Sequence, residues 1–214
     1  MAKSAAKTTA QTAGKTTSKT ASKAPARLIV GISGASGAIY GVRLLEMLRR
    51  TEIETHLVMS KSAEKTLVYE TDLKPTDVRT LASVHYPVAD IGAAISSGSF
   101  PTMGMIVLPC SIRTMSEIAT GVTSSLLSRA ADVVLKEKRR LVLAVRETPL
   151  HGGHLRSMAT LADIGAVIAP IVPAFYNRPQ TVDDIVNHTC GRLLDLFGID
   201  TGSVKRWKGG PAET

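Results

Sequence analysis

Leu28-Ile29-Val30-Gly31-Ile32-Ser33-Gly34-Ala35-Ser36-Gly37-Ala38-Ile39-Tyr40-Gly41 decides how the rest of the chain is read. A β-branched apolar run stops at glycine and serine. Apolar residues then return at helical spacing through Val42, Leu45 and Leu48, so the stretch reads as strand, tight loop and helix. Glycine lets the backbone turn tightly and approach a ligand, and the N–H groups and positive dipole end of the new helix favour an anion. In outline this is a phosphate site, with Ser33 and Ser36 as further hydroxyl donors. The spacing Gly31-x-x-Gly34-x-x-Gly37 is not the G-x-G-x-x-G of dinucleotide enzymes, and no Lys-Ser/Thr pair follows as in a P-loop. A mononucleotide fits better than NAD or ATP.

The chain has 214 residues, enough for one sizeable domain and short for two. It is 44% hydrophobic but only 4% aromatic, with aliphatic runs separated by helical patterns, which suits an α/β protein with a buried parallel sheet. No apolar run is long enough for a membrane span. Of the formal charge of +8, five units come from Lys3, Lys7, Lys15, Lys19 and Lys23 in an acid-free segment, so the remainder carries only three. So small an excess calls for no nucleic-acid partner. Residues 1–26, almost all Ala, Lys, Thr, Ser and Gly, are expected to form a disordered, solvated tail that is neither a secretory signal nor a mitochondrial presequence. Cys110 and Cys190 lie far apart and form no metal pair or disulfide framework, which implies a reducing, cytoplasmic setting.

Along the chain, Glu54–Met59 reads as a second strand, and Ser60 stands where it caps the following helix, faces the same ligand as Ser36, or does both. That helix carries Leu67 and Tyr69 and closes at Glu70-Thr71-Asp72. A short one is expected from Lys74-Pro75-Thr76 to near Ser83. From Tyr86 to Phe100 the pattern is weak and reads as a loop. Met103–Pro109 is the clearest buried strand and runs into a second polar loop, Cys110–Thr114, which either holds part of the ligand or simply starts a helix; Cys110 reads as a packed hydrophobe. A helix through Leu126, Leu127, Ala130, Val133 and Val134 follows, then a strand, Leu141–Val145, with Arg146 and Glu147 at its end. His151 and His154 lack a third ligand, so no metal site is expected. Val167–Pro170 is the last strand, a proline-rich loop leads to a helix from Thr181, and Trp207 is expected to cover a neighbouring surface.

Taken together, G-I-S-G-A-S-G-A-I-Y-G, E-T-H-L-V-M-S-K, L-P-C-S-I-R-T, R-A-A-D-V-V-L-K-E, V-R-E-T-P-L-H and P-A-F-Y-N-R-P-Q resemble the UbiX-type flavin prenyltransferases, from Arg27 to about Trp207. The resemblance implies a flavodoxin-like or Rossmann-like three-layer α/β fold with a mainly parallel sheet in one domain, residues 27–207, between tails at 1–26 and 208–214. It implies trimers assembled into a dodecamer, with FMN and dimethylallyl phosphate bound between subunits, and prenylated FMN as the product for a UbiD-type decarboxylase. Gly34, Ala35, Ser36, Ser60, Ser111, Ile112, Arg113, Thr114 and Arg146 would hold FMN, Arg113 through its backbone. Glu70, Arg129, Lys136, Tyr176 and Arg192 would surround the allylic phosphate, and Glu147 would stand beside the flavin as a base; Ser36, Glu70, Lys136 and Glu147 are the implied catalytic set. Clustered cations suit this chemistry, because each charge-assisted hydrogen bond to the departing phosphate contributes ~1.5–3 kcal/mol and so replaces a metal ion. Two rival readings are a flavin-dependent decarboxylase of a small aromatic or thiol acid and a non-catalytic FMN carrier.

Overall fold

A computed structural model describes residues 26–207 together with Met1 and Gly209; the expected tails lie almost wholly outside the described residues. Six strands, β1 (Arg27–Ile32), β2 (Glu54–Met59), β3 (Val84–Tyr86), β4 (Gly104–Cys110), β5 (Arg140–Val145) and β6 (Val167–Ile168), form one sheet in the order β3-β2-β1-β4-β5-β6. Every pairing is parallel. Parallel strands buried on both faces need continuous apolar sequence, and β4 is buried along its whole length. The connections supply α1 (Ala38–Leu48), α2 (Lys61–Glu70), α3 (Pro75–Arg79), α4 (Ile112–Ala119), α5 (Leu126–Lys136), α6 (Gly152–Asp163) and α7 (Val182–Asp195).

Two cores separate the three layers. On one face, side chains of α1, α2 and α7 such as Leu45, Leu67 and Leu194 pack on the sheet. On the other, α4, α5 and α6 contribute Met115, Leu127 and Leu161. Gly104 opens β4 at φ 138°, and a Cβ there would lie 2.1 Å from the Arg140 carbonyl, so only glycine lets β4 and β5 start side by side. Under the sheet's first strands, the buried His56 ring lies within 2.9 Å of both the Tyr86 hydroxyl and Glu54. Burial drives its pKa below the usual histidine value although Glu54 opposes the shift.

The strand order matters most for function. From β1 the chain builds outward through β2 and β3, then crosses back to lay β4 on the other side of β1. The loops leaving β1 and β4 diverge there, and a crevice opens at the C-terminal edge. Three local expectations need correction. The short helix ends at Arg79, not near Ser83; β3, which ends at the first residue of the segment read as loop, was not expected; and α6 was not foreseen. Helix α6 opens on Gly152-Gly153 and buries only Leu161, so it has scarcely any apolar stripe to announce it.

Candidate functional site

Three strand ends meet around the crevice. Ser33 is buried and donates to the Pro109 carbonyl at 2.9 Å while accepting from the Ser111 amide at 2.7 Å. It stitches the β1 loop to the β4 loop and is therefore no ligand donor, contrary to the sequence expectation. Gly34 lies so close to the start of α2 that a Cβ would stand 2.4 Å from the Ser62 Cβ. Ser60 caps α2 by accepting from the Ala63 amide at 3.0 Å, which leaves its own hydroxyl hydrogen for a ligand. Ser111 caps α4 by accepting from the Thr114 amide at 3.3 Å, and its own hydroxyl donates to the Thr114 hydroxyl at 3.2 Å. Gly34, Ser60, Ser111, Arg113 and Thr114 thus line one cleft of about 210 Å³. The Arg113 side chain turns along its own helix to Glu117, 2.9 Å away, so its contribution to the cleft is its backbone.

Beside this cleft the α1 terminus differs from the open anion site expected of it. The Glu70 carboxylate, reaching back from the end of α2, accepts from the amides of Gly37 at 2.8 Å and Ala38 at 2.9 Å. Gly37 provides the turn by adopting φ 100°. Burial raises the Glu70 pKa, but the Ser36 hydroxyl, the Ala38 and Gly37 amides and the Arg146 charge outweigh it and hold the group below the usual carboxylate range. Ser36, Glu70 and Arg146 are therefore brought together. The Arg146 amide donates to the Cys110 carbonyl at 3.0 Å, tying the end of β5 to that of β4. Next to it Glu147 is exposed, its carboxylate accepting, among the described residues, only from the Thr148 amide, at 3.1 Å.

The remaining expected residues stand elsewhere. Lys136 ends α5 just before β5 begins at Arg140, opposite Gly104, so it sits at the sheet's N-terminal edge, away from Ser36, Glu70 and Arg146. Arg129 is two turns nearer the crevice on the same helix and pairs with Asp132 at 2.8 Å. Arg192 is on α7, across the sheet, and pairs with Asp195 at 2.7 Å. One chain does not gather Arg129, Lys136 and Arg192, because α5 and α7 cover opposite faces.

Tyr176, in the loop before α7, has its hydroxyl 3.1 Å from Nε2 of His188. The Trp207 ring stands edge-on to Tyr176 at 5.9 Å, which gives the expected cover a named partner. His188 was missed from sequence, although a histidine between Val186 and Cys190 on the buried side of a helix was a visible signal. Cys110 is fully buried and its thiol pKa is pushed up to about 12, that of an inert packed group. The His151 side chain caps α6, and among the described residues no three His, Cys, Asp or Glu side chains come together as a metal cluster.

Comparison with known proteins gives this geometry its relatives. A family model described as Flavoprotein matches residues 16–194. The flavin prenyltransferase UbiX of Escherichia coli is 62% identical over 186 residues, covering 86% of this chain and 98% of its own. Among solved structures, AnUbiX in complex with FMN and dimethylallyl pyrophosphate superposes with a TM-score of 0.86 at 50% identity, covering 87% of this chain and 99% of that one. A dodecameric FMN-dependent UbiX-like decarboxylase from Escherichia coli gives a TM-score of 0.84 at 52% identity, covering 86% and 100%.

Proposed function

The chain belongs to the UbiX-type flavin prenyltransferases, and from that membership we propose that it joins the dimethylallyl group of dimethylallyl phosphate to N5 and C6 of reduced FMN. The 62% identity to a flavin prenyltransferase across nearly the whole of that relative carries this reading. The donor set of the crevice fits FMN: the free hydroxyl hydrogen of Ser60, the first-turn amides of α4 and a close-packed glycine at Gly34 suit a phosphate and a flat polar ring edge. Gly34, Ala35, Ser36, Ser60, Ser111, Ile112, Arg113, Thr114 and Arg146 would hold it. Reduced FMN supplies the nucleophilic ring atoms and a π-face beside the allylic group.

The protein's own part is to hold charge and exclude water. Arg129, Lys136 and Arg192, with the Tyr176 hydroxyl, would receive the phosphate's growing negative charge, each charged hydrogen bond contributing ~1.5–3 kcal/mol. Glu70 fixes the loop that carries Ser36. Glu147, exposed at the end of β5, is free to take a proton. Because Lys136 lies at the far edge of its own sheet, its place at a donor site belongs to a neighbouring copy, in line with the dodecameric relative. A single-chain cleft of about 210 Å³ is also below the ~300–1,000 Å³ of enclosing ligand sites, which agrees with walls supplied by other subunits. Residues 27–207 form the working unit, located in the cytoplasm, with 1–26 and 208–214 as dispensable extensions. Its product passes to a UbiD-type decarboxylase.

A direct decarboxylase is the second reading, favoured by the description of the dodecameric relative. Anaerobic incubation with reduced FMN and dimethylallyl phosphate in the presence of a chelator, followed by mass spectrometry of the extracted flavin, separates the two. Prenylated FMN is expected. Unmodified flavin with CO2 released from an added aromatic acid overturns the proposal, and loss of activity with the chelator alone overturns its metal-free form.

A further inference from the structure

We propose that His188 is a positioning residue that holds the Tyr176 hydroxyl with its hydrogen turned outward, so that Tyr176 meets the donor's phosphate as a hydrogen-bond donor; this rests on the reading of Tyr176 as part of the phosphate subsite. Nε2 of His188 lies 3.1 Å from the Tyr176 oxygen, and the two rings meet edge-on at 5.4 Å. His188 is only 5% exposed, and its Nδ1 has no hydrogen-bond partner among the described residues. Tyr176 by contrast is 46% exposed, so the residue is within reach of a ligand.

The proton's position follows from counting partners. Burial and the neighbouring Arg192 charge lower the pKa of His188, so near neutral pH the ring is uncharged and carries one N–H. On Nδ1 that hydrogen would be a buried donor with nothing to receive it. On Nε2 it donates to Tyr176, and the atom left without a partner is a lone pair, which proteins tolerate better than an orphaned buried N–H. The Tyr176 oxygen then acts as acceptor toward His188, and its own hydrogen is free. With the opposite tautomer the hydroxyl would donate inward and present lone pairs to an arriving phosphate, which is repulsive. A donated hydrogen bond also polarises the hydroxyl and strengthens the one it makes next. Arg192, one helical turn beyond His188 on α7, lies on the same side of that helix. Trp207 braces the Tyr176 ring at 5.9 Å.

The test uses the full-length protein and steady-state kinetics with dimethylallyl phosphate, FMN affinity being measured alongside. Tyr176→Phe is expected to raise KM for the donor about tenfold, the loss of one hydrogen bond to a charged group. His188→Leu should match it, His188→Gln should return KM to within about threefold of wild type because its amide can donate from the Nε2 position, and His188→Asn should not. Adding His188→Leu to Tyr176→Phe should change nothing further, since the histidine acts only through the hydroxyl. FMN affinity should stay constant in every variant. Multiplying effects in the double variant, or rescue by Asn and not by Gln, would overturn the proposal. If the Leu variant does not assemble, the contrast between Gln and Asn decides alone. A normal KM for Tyr176→Phe would instead refute Tyr176 as a phosphate ligand, whereas a raised KM there with normal KM for both His188→Leu and His188→Gln refutes only the role of His188.

Discussion

Glu70 joins the end of one helix to the start of another, and this makes it a stabilising group as well as a proposed site residue. It accepts from two amides at the start of α1, those of Gly37 and Ala38, the work of an N-cap, so Glu70→Ala should cost about 1 kcal/mol, read from the urea midpoint. Its pKa is depressed in the folded state, so its stabilisation is complete above the ordinary carboxylate value of 4.5 and is lost as pH falls through the lower folded value. Ser36→Ala removes one of the hydrogen bonds that depress it, so the Glu70 titration should move upward. An unmoved titration would show that Ser36 does not reach the carboxylate. Glu147 makes the opposite case. Among the described residues its only side-chain bond is to the adjacent Thr148 amide, so Glu147→Gln should leave folding and FMN binding intact while lowering kcat about 100-fold or more, as removal of a general base does. Wild-type kcat would reduce Glu147 to a bystander and pass the proton to the released phosphate.

Helix α5 carries two of the expected phosphate ligands, and its direction decides which active site they serve. Lys136 is at the sheet edge opposite Glu70 and Arg146. If it works in a neighbour's site, Lys136→Ala and Glu147→Gln damage different partners of one shared centre. Mixing the two inactive variants under subunit exchange should then regenerate sites with both residues intact, seen as activity well above either variant alone. No recovery in demonstrably mixed oligomers would confine each site to one chain. The same helix shows what sequence makes legible. Leu126, Leu127, Ala130, Val133 and Val134 mark its buried face, and the glycine and serine breaks after apolar runs mark the crevice loops, because both signals are local. The bond from Gly37 to Glu70 spans 33 residues and no local pattern encodes it. Ser33 looked like a ligand donor for the same reason: its partners, Pro109 and Ser111, are strangers in sequence. Strand β3 has only three residues and α6 buries one side chain, so neither repeats a pattern long enough to be read. The separation of Arg129 and Lys136 from Arg192 needs the layer assignment, which spacing alone does not contain.

Across the whole molecule, acid should act in two stages. His56 and His188 both have pKa values lowered from 6.5, chiefly by burial, so the unfolded chain binds more protons and stability falls as pH drops below about 6.5 toward the folded values. A second fall follows below about 4.5, as Glu70 and Asp195 take up the protons that their hydrogen bonds resist. Urea midpoints measured against pH should show both steps, and His56→Gln should flatten the upper one; a single carboxylate step would contradict it. The placing of β4 beside β1 reaches further, into the order of events as the chain folds. β2 and β3 must be made and bypassed before the two walls of the crevice can touch, and so distant a closure is entropically slow. A ribosome-bound chain that ends short of Ser111 lacks the β4 wall of the proposed flavin site. If FMN recognises only the finished crevice, as the proposed site requires, it arrives too late to hasten folding. In stopped-flow experiments it should leave the refolding rate unchanged and slow unfolding alone, protecting the protein by delaying its departure from the native state.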